Sequence, residues 1–179
     1  MIATREGQAE YVVLVDDDGT PLGAADKATV HGVDTPLHLA FSCHVYDQDG
    51  RVLVTRRALS KRTWPGVWTN TFCGHPAPGE SQTDAVARRA LFELGITVSS
   101  VSPVLPDFRY RAVDASGVVE NEICPVFAAV TSDAITLNPA EVAESAWLSP
   151  ADLRNAVLAA PFAFSPWLAW QLEEWPDSI

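Results

Sequence analysis

The sequence predicts an α+β fold, a mixed β-sheet flanked by helices, and three observations carry that prediction. Short apolar, β-rich runs such as Tyr11 to Val15 and Val118 to Thr131 alternate with acidic, glycine-closed turns, the punctuation of strands and hairpins. The stretch Ser81 to Gly95 carries both a helix start and a helix stop. Nearer the C-terminus, a proline-opened segment and a tryptophan-bearing one read as further helices.

Residues 1 to 10 are polar without periodicity and read as a loose arm. Residues 11 to 175 read as one domain and 176 to 179 as a short tail, because 179 residues suffice for a sizeable core and no repeat or linker marks a second unit. Tyr11 to Val15 is a strand ending at Asp16-Asp17-Asp18-Gly19. These aspartates lack the downstream ligands of a calcium loop, so a hairpin turn is expected. Thr20 to Thr29 carries a second strand into a loop that reaches His31. Leu37 to Tyr46 reads as one long strand, turned at Asp47 to Gly50, with Arg51 to Arg57 as its hairpin partner.

Glycines and prolines from Thr63 to Pro78 indicate a shaped loop around a short strand. Ser81 is the expected N-cap of a helix over Thr83 to Leu94, with apolar positions at Ala85, Val86, Leu91, Phe92 and Leu94 and Gly95 as its stop. Val101 to Arg111 and Val118 to Thr131 read as two strands around the turn Asp114 to Gly117. Glu141 to Leu148 is a further strand, followed by helices over Pro150 to Ala160 and Phe162 to Trp175.

A composition of 47% hydrophobic and 20% charged residues is that of a folded, soluble chain. The net charge of -11 argues against nucleic-acid binding, which needs clustered cations. A small anionic substrate remains compatible, since most of the basic residues fall between Arg51 and Arg111 and raise the potential there. Three cysteines form no framework, Met1 to Glu6 lacks the pattern of a secretion signal, and no 18-residue apolar run exists to enter a membrane. A cytoplasmic monomer or weak dimer, without membrane association, is the expectation.

The chemistry concentrates around Cys73-Gly74-His75, where a thiol and an imidazole sit two residues apart on turning backbone. Glu120 and Glu122, also two apart, share one face of a strand. His31, His38 and His75 with these carboxylates suit a six-coordinate divalent ion such as Mn²⁺, Mg²⁺ or Zn²⁺.

The pattern Gly74-x5-Glu80-x7-Arg88-Arg89-Ala90-Leu91-Phe92-Glu93-Leu94-Gly95-Ile96 resembles a Nudix box, a loop-helix-loop that binds a divalent ion and a diphosphate. Arg89 and Phe92 stand where the box has glutamates, and diphosphate hydrolysis needs those carboxylates to collect metal and orient water. The flanks are more specific. Leu37 to Ser42, Thr55 to Lys61, Trp64 to Asn70, Cys73 to Pro76, Pro106 to Ala112, Glu120 to Phe127 and Phe164 to Trp167, in this order, are similar to the type I isopentenyl-diphosphate Δ-isomerases from about Tyr11 to Trp170. The alternatives are a Nudix-type diphosphohydrolase and a non-catalytic metal-binding protein.

The resemblance implies a Nudix-like fold and an enzyme that interconverts isopentenyl and dimethylallyl diphosphate by adding a proton on one face and removing one from the other. It implies Cys73 and Glu122 as the two proton-handling groups, Tyr110 as a helper to the carboxylate and Trp167 as the ring beside the developing cation. It implies His31, His38, His75, Glu120 and Glu122 as ligands of one divalent ion. A Mg²⁺ arriving with the substrate would be held by Glu93 and the backbone carbonyl of Cys73, and the diphosphate by Lys27, Arg57, Lys61 and Arg89. His44, Cys43 and Cys124 receive no role.

Overall fold

A computed structural model describes residues 10–176, so the arm up to residue 9 and the tail from residue 177 lie outside the described residues. The strands form two mixed sheets. The first has the order β2 (Pro21–Asp26), β1 (Tyr11–Val15), β3 (His38–Leu39), β10 (Val119–Ile123), β9 (Arg109–Val113). The second has the order β12 (Val142–Leu148), β5 (Val52–Arg57), β4 (Phe41–Tyr46), β11 (Val126–Val130), β8 (Ser99–Leu105). Two short strands, β6 (Trp68–Thr69) and β7 (Phe72–Gly74), attach to β5 and β4. The pairs β3/β10 and β4/β11 run parallel and the others antiparallel.

Three runs that read as single strands are each cut, and the two halves of each enter different sheets. Leu37 to Tyr46 breaks at Ala40 into β3 and β4; Val101 to Arg111 breaks at Pro106-Asp107-Phe108 into β8 and β9; Val118 to Thr131 breaks at Cys124-Pro125 into β10 and β11. Pro106 and Pro125 have no N–H for a ladder, so pairing lapses there. At the crossings the main chain bonds sideways instead, from Ala40 N to Ile123 O at 2.9 Å, Cys124 N to Phe108 O at 2.9 Å and Ser42 N to Pro125 O at 3.0 Å.

The three acidic turns use one device. In each, an aspartate carboxylate accepts from the amides two and four residues on, and the glycine adopts positive φ: Asp16 with Gly19 (+80°), Asp47 with Gly50 (+76°), Asp114 with Gly117 (+86°). The middle turn does not close a full hairpin. β4 and β5 meet only at Tyr46 and Val52, then splay, and β6 and β7 fill the gap. Threonine side chains bridge it: Thr55 Oγ1 donates to the carbonyls of Asn70 (3.2 Å) and Thr71 (3.0 Å), and Thr71 Oγ1 donates to Leu53 O (2.6 Å).

The second sheet is covered on both faces. Helix α2 (Gln82–Leu94) packs against Phe41, Cys43 and Leu53, while α3 (Pro150–Ala159) and α4 (Pro166–Glu174) pack against Val52 and Val54, the alternation a strand requires. Ser81 caps α2 by accepting from Asp84 N, and Gly95 closes it at φ +65°. The buried stripe of α2 is Ala85, Val86, Arg89, Ala90, Glu93 and Leu94, whereas the expected core positions Leu91 and Phe92 are exposed. The i, i+4 ion pair Arg89–Glu93 lies inward on a face that apolar counting assigns to the wrong side. Residues after β2 form a helical turn, α1 (Lys27–Val30), capped by Asp26, rather than a loop. The last helix begins only at Pro166, because Pro161–Ala163 is a separate 3₁₀ turn and Phe164 is extended. Among the described residues no helix is long and apolar enough to cross a membrane.

Candidate active site

Four elements converge on Glu122. His31 follows α1, His38 opens β3 beside β10 in register with Glu122, and His75 follows β7. Their three rings form a triangle with centroids 5.1, 5.1 and 5.6 Å apart. His75 Nε2 stands 3.1 Å from Glu122 Oε1, His38 Nε2 3.4 Å and His31 Nε2 3.8 Å. One ligand atom from each of these four residues lies within 4.8 Å of all the others.

The donor chemistry fits a metal ion. His38 Nδ1 lies 2.8 Å from the Pro36 carbonyl, which orients the ring and leaves Nε2 a lone pair toward the cluster. His31 Nε2 and His38 Nε2 are buried without a hydrogen-bond partner. Buried imidazole nitrogens converging unpaired on a carboxylate are unfavourable unless a cation joins them. The cluster can therefore bind a metal.

Burial pushes the Glu122 carboxyl up, but the three imidazoles outweigh it and hold it well below the usual carboxylate range. Glu120 behaves oppositely: burial and the adjacent Glu122 charge raise it. Its oxygens accept from Thr63 Oγ1 (2.6 Å) and the Tyr110 hydroxyl (2.7 Å), outside the four-residue cluster. Tyr110 also donates to Glu122 Oε2 (2.9 Å), so the two carboxylates share a face as strand spacing requires. Burial, with both carboxylates beside it, raises the phenol well above its ordinary value.

Cys73 comes from the other sheet. It sits in β7 opposite Ser42 of β4, 3.2 Å from Ser42 Oγ and 3.4 Å from Asn70 Oδ1. Burial pushes the thiol up to about 12, a rise to which Glu122 also contributes and which the Ser42 and Asn70 hydrogen bonds oppose. Gly74 lets helix α2 close over this strand: a Cβ there would lie 2.8 Å from Arg89 Cγ and 2.8 Å from Phe41 Cζ. Trp167, buried at the start of α4, donates from Nε1 to Thr69 Oγ1 (3.0 Å) and Asn70 Oδ1 (3.1 Å). Its ring stacks on Tyr110 at 5.7 Å and lies 5.5 Å from the Arg57 guanidinium.

Thiol, carboxylates and aromatic rings line one cavity of about 530 Å³, together with Lys27, His31, Arg57, Lys61, His75 and Arg89. Each predicted phosphate-binding cation has a protein partner. Lys27 pairs with Glu10 at 2.5 Å, Lys61 with Glu141, and Arg89 with Glu93 at 2.5 Å and Glu141 at 3.4 Å. Arg57 donates to the carbonyls of Thr63 and Trp64, and Trp64 sits in the left-handed region, φ +42°. Glu93 lies behind Arg89 and does not itself line the cavity. Two further arginines lie nearby: Arg56 pairs with Glu144, whereas Arg62 lines the cavity and donates to Ala28 O.

Sequence reasoning missed Ser42, Thr63, Asn70, Gln171 and Glu141. The first three lie within or beside the motifs that carried the resemblance. Gln171 and Glu141 enter only through tertiary contact and have no local signal.

The NUDIX domain pattern matches residues 36–171, and the chain belongs to that class of protein. Curated relatives narrow it. The chain is 64% identical over 163 residues to "Isopentenyl-diphosphate Delta-isomerase" of Clavibacter sepedonicus, covering 91% of this chain and 86% of that one. It is 61% identical to the protein of that name from Brevibacterium linens (92% and 91% covered) and 53% identical to that of an Escherichia coli strain (92% and 90%). This protein is a member of the isopentenyl-diphosphate Delta-isomerase family. Solved structures with the same fold include DR0079 from Deinococcus radiodurans (TM-score 0.71, 19% identity, 92% and 98% covered). A MutT protein from Methanosarcina mazei is a second (TM-score 0.61, 22% identity, 80% and 95% covered).

Proposed function

We propose that the chain interconverts isopentenyl and dimethylallyl diphosphate in the cytoplasm, as a monomer or weak dimer, in isoprenoid biosynthesis. Family membership supports the reaction. The observation that carries the site assignment is that a thiol from one sheet and a carboxylate from the other enter a single cavity rimmed by cations.

An allylic shift needs two proton-handling groups on opposite faces of the substrate. One gives a proton to the terminal methylene carbon, and the π pair becomes the new C–H bond. The tertiary carbocation that results is quenched when the other group takes a proton from the neighbouring CH₂, whose C–H pair becomes the new double bond. Cys73 and Glu122 are these groups, and in the reverse direction they exchange tasks. Tyr110, bonded to both carboxylates, assists the carboxylate side. The rings of Trp167 and Tyr110 present π density to the cation, an attraction worth about 2 kcal/mol in a dry pocket, without offering a nucleophile to trap it.

His31, His38, His75 and Glu122, with Glu120 beside them, would hold one divalent ion, Mn²⁺, Mg²⁺ or Zn²⁺. When bound, it supplies positive charge that fixes the Glu122 carboxylate and tunes its basicity. Lys27, Arg57, Lys61 and Arg89 receive the diphosphate, exchanging their present carboxylate and carbonyl partners for phosphate oxygens. A Mg²⁺ accompanying the substrate would be held by the Cys73 carbonyl and by Glu93, once Arg89 has left that carboxylate for the diphosphate. Arg89, standing where hydrolysis needs a carboxylate, favours isomerisation over phosphate release.

The test is incubation with isopentenyl diphosphate and Mg²⁺ plus Mn²⁺ in D₂O, following the allylic product and free phosphate. Dimethylallyl diphosphate carrying deuterium, absent with Cys73→Ala and Glu122→Gln, is the expected result. Phosphate release without isomer would identify a diphosphohydrolase instead.

A further inference from the structure

Behind Cys73 lies a file of buried polar side chains that the proton shift does not itself require. Gln171 of α4 reaches back to β4, where its Nε2 stands 2.9 Å from Ser42 Oγ and its Oε1 2.9 Å from His44 Nε2. Ser42 and Gln171 are fully buried and His44 is 1% exposed, with the Trp175 ring packed against the imidazole at 4.6 Å between centroids. Polar groups at such depth are unfavourable unless every one is paired, and apolar residues fill such space without that demand. Stability alone gives no reason for the file, and it ends 3.2 Å from the Cys73 sulfur.

One sense of donation gives every group along it a partner. A neutral His44 facing Gln171 Oε1 donates from Nε2, which leaves the Gln171 amide its N–H for Ser42. With the Cys73 S–H spent on Asn70, the Ser42 hydroxyl is the group left to donate to sulfur; Cys73 at 3.2 Å is the nearer, with Cys124 at 3.5 Å. The S–H of Cys73 goes to Asn70 Oδ1, an oxygen held in place by the Thr69 hydroxyl at 2.9 Å and Trp167 Nε1 at 3.1 Å.

We propose that Ser42, Gln171 and His44 are positioning residues: they aim one hydroxyl hydrogen at the Cys73 sulfur and thereby lock the thiol in a single orientation toward the substrate. The inference rests on Cys73 being the reacting thiol.

The experiment measures kcat and KM for isopentenyl diphosphate, and the melting temperature, in Ser42→Ala, Gln171→Glu, His44→Leu, His44→Gln and Cys73→Ala. Gln171→Glu keeps the shape of the side chain, but a carboxylate only accepts, so it draws the Ser42 hydrogen away from sulfur. Ser42→Ala, Gln171→Glu and His44→Leu are expected to lose on the order of tenfold to a hundredfold in kcat, with KM little changed, as a misplaced reacting group does. His44→Gln keeps a donor toward residue 171 and is expected to recover most of the loss. Independently of turnover, the S–H stretching band of Cys73, isolated by subtracting the Cys73→Ala spectrum, is expected to shift in Ser42→Ala. Wild-type kcat in Ser42→Ala and Gln171→Glu, or an unmoved band in Ser42→Ala should Gln171→Glu fail to fold, overturns the inference while Cys73→Ala is inactive. Turnover by Cys73→Ala overturns the assignment of the thiol, and the inference with it.

Discussion

Replacing Gly74 with alanine tests how closely helix α2 and the site strand are fitted. The added Cβ would stand 2.8 Å from both Arg89 Cγ and Phe41 Cζ, and 3.0 Å from Phe41 Cε1. Ordinary carbon contacts begin near 3.5 Å, so the shortfall is about 0.7 Å. Neither neighbour yields easily. Phe41 is fully buried on β4 against the edge of Phe72 at 6.2 Å, and Arg89 is tied to Glu93 by two hydrogen bonds. Overpacking of this kind costs typically about 1–3 kcal/mol, and two unyielding partners place the variant at the upper end. At about 2–4 °C per kcal/mol for a chain this size, Gly74→Ala should melt roughly 5–10 °C lower. Relief by moving β7 instead displaces Cys73 and His75 together, and a shift of several tenths of an ångström there should cost at least about tenfold in kcat. Thermal unfolding and steady-state kinetics read the two effects, with Gly32→Ala, where a Cβ meets nothing within 4 Å, as the neutral control. A Gly74→Ala protein that melts and turns over like the parent would refute the close-fit reasoning.

Removing Arg89 leaves the buried Glu93 carboxylate without its partner: Arg89→Met should lose about 3–5 kcal/mol in urea unfolding, and adding Glu93→Gln should restore most of it, because a pair deleted together costs far less than one partner alone. Metal binding should stabilise the fold by about 2.7 kcal/mol at a hundredfold excess over Kd, and a melting temperature in His75→Ala that still rises with added Mn²⁺ would count against the cluster as the metal site. Burial pushes His44 down to about 4 from an ordinary 6.5, with only Gln171 opposing it. The unfolded chain therefore takes up a proton below pH 6.5 that the folded chain refuses until about pH 4. Stability should fall across that window by up to about 3 kcal/mol, and remain unaffected by this group above it. His44→Gln should flatten that part of a stability-pH curve recorded by chemical unfolding.

Much of the site was legible because its chemistry is local in sequence. Cys73-Gly74-His75 and Glu120-x-Glu122 place their groups by strand geometry alone, and the structure brings both stretches to one cavity. The sheet architecture was harder to read. An apolar run such as Val118 to Thr131 has the same composition whether it continues straight or crosses to a second sheet, and only Pro125 hinted at the break. Likewise Leu91 and Phe92 look like core and Arg89 and Glu93 like surface, because burial of an ion pair is decided by what faces it across the fold. Gln171 and Glu141 depend wholly on such encounters.

The three strand crossings have a mechanical consequence. Glu122 and His38 stand on one sheet and Cys73 on the other, and continuous polypeptide stitches those sheets together at Ala40, Phe108 and Cys124. The gap between the two jaws is thus gauged by covalent bonds, as in a fixed caliper rather than an adjustable wrench. A bulkier branched chain is therefore expected to be turned over poorly, since no hinge separates the jaws. Widening the bite would require lengthening the chain at the stitches themselves, which ties the size of the accepted carbon skeleton to the topology of the fold.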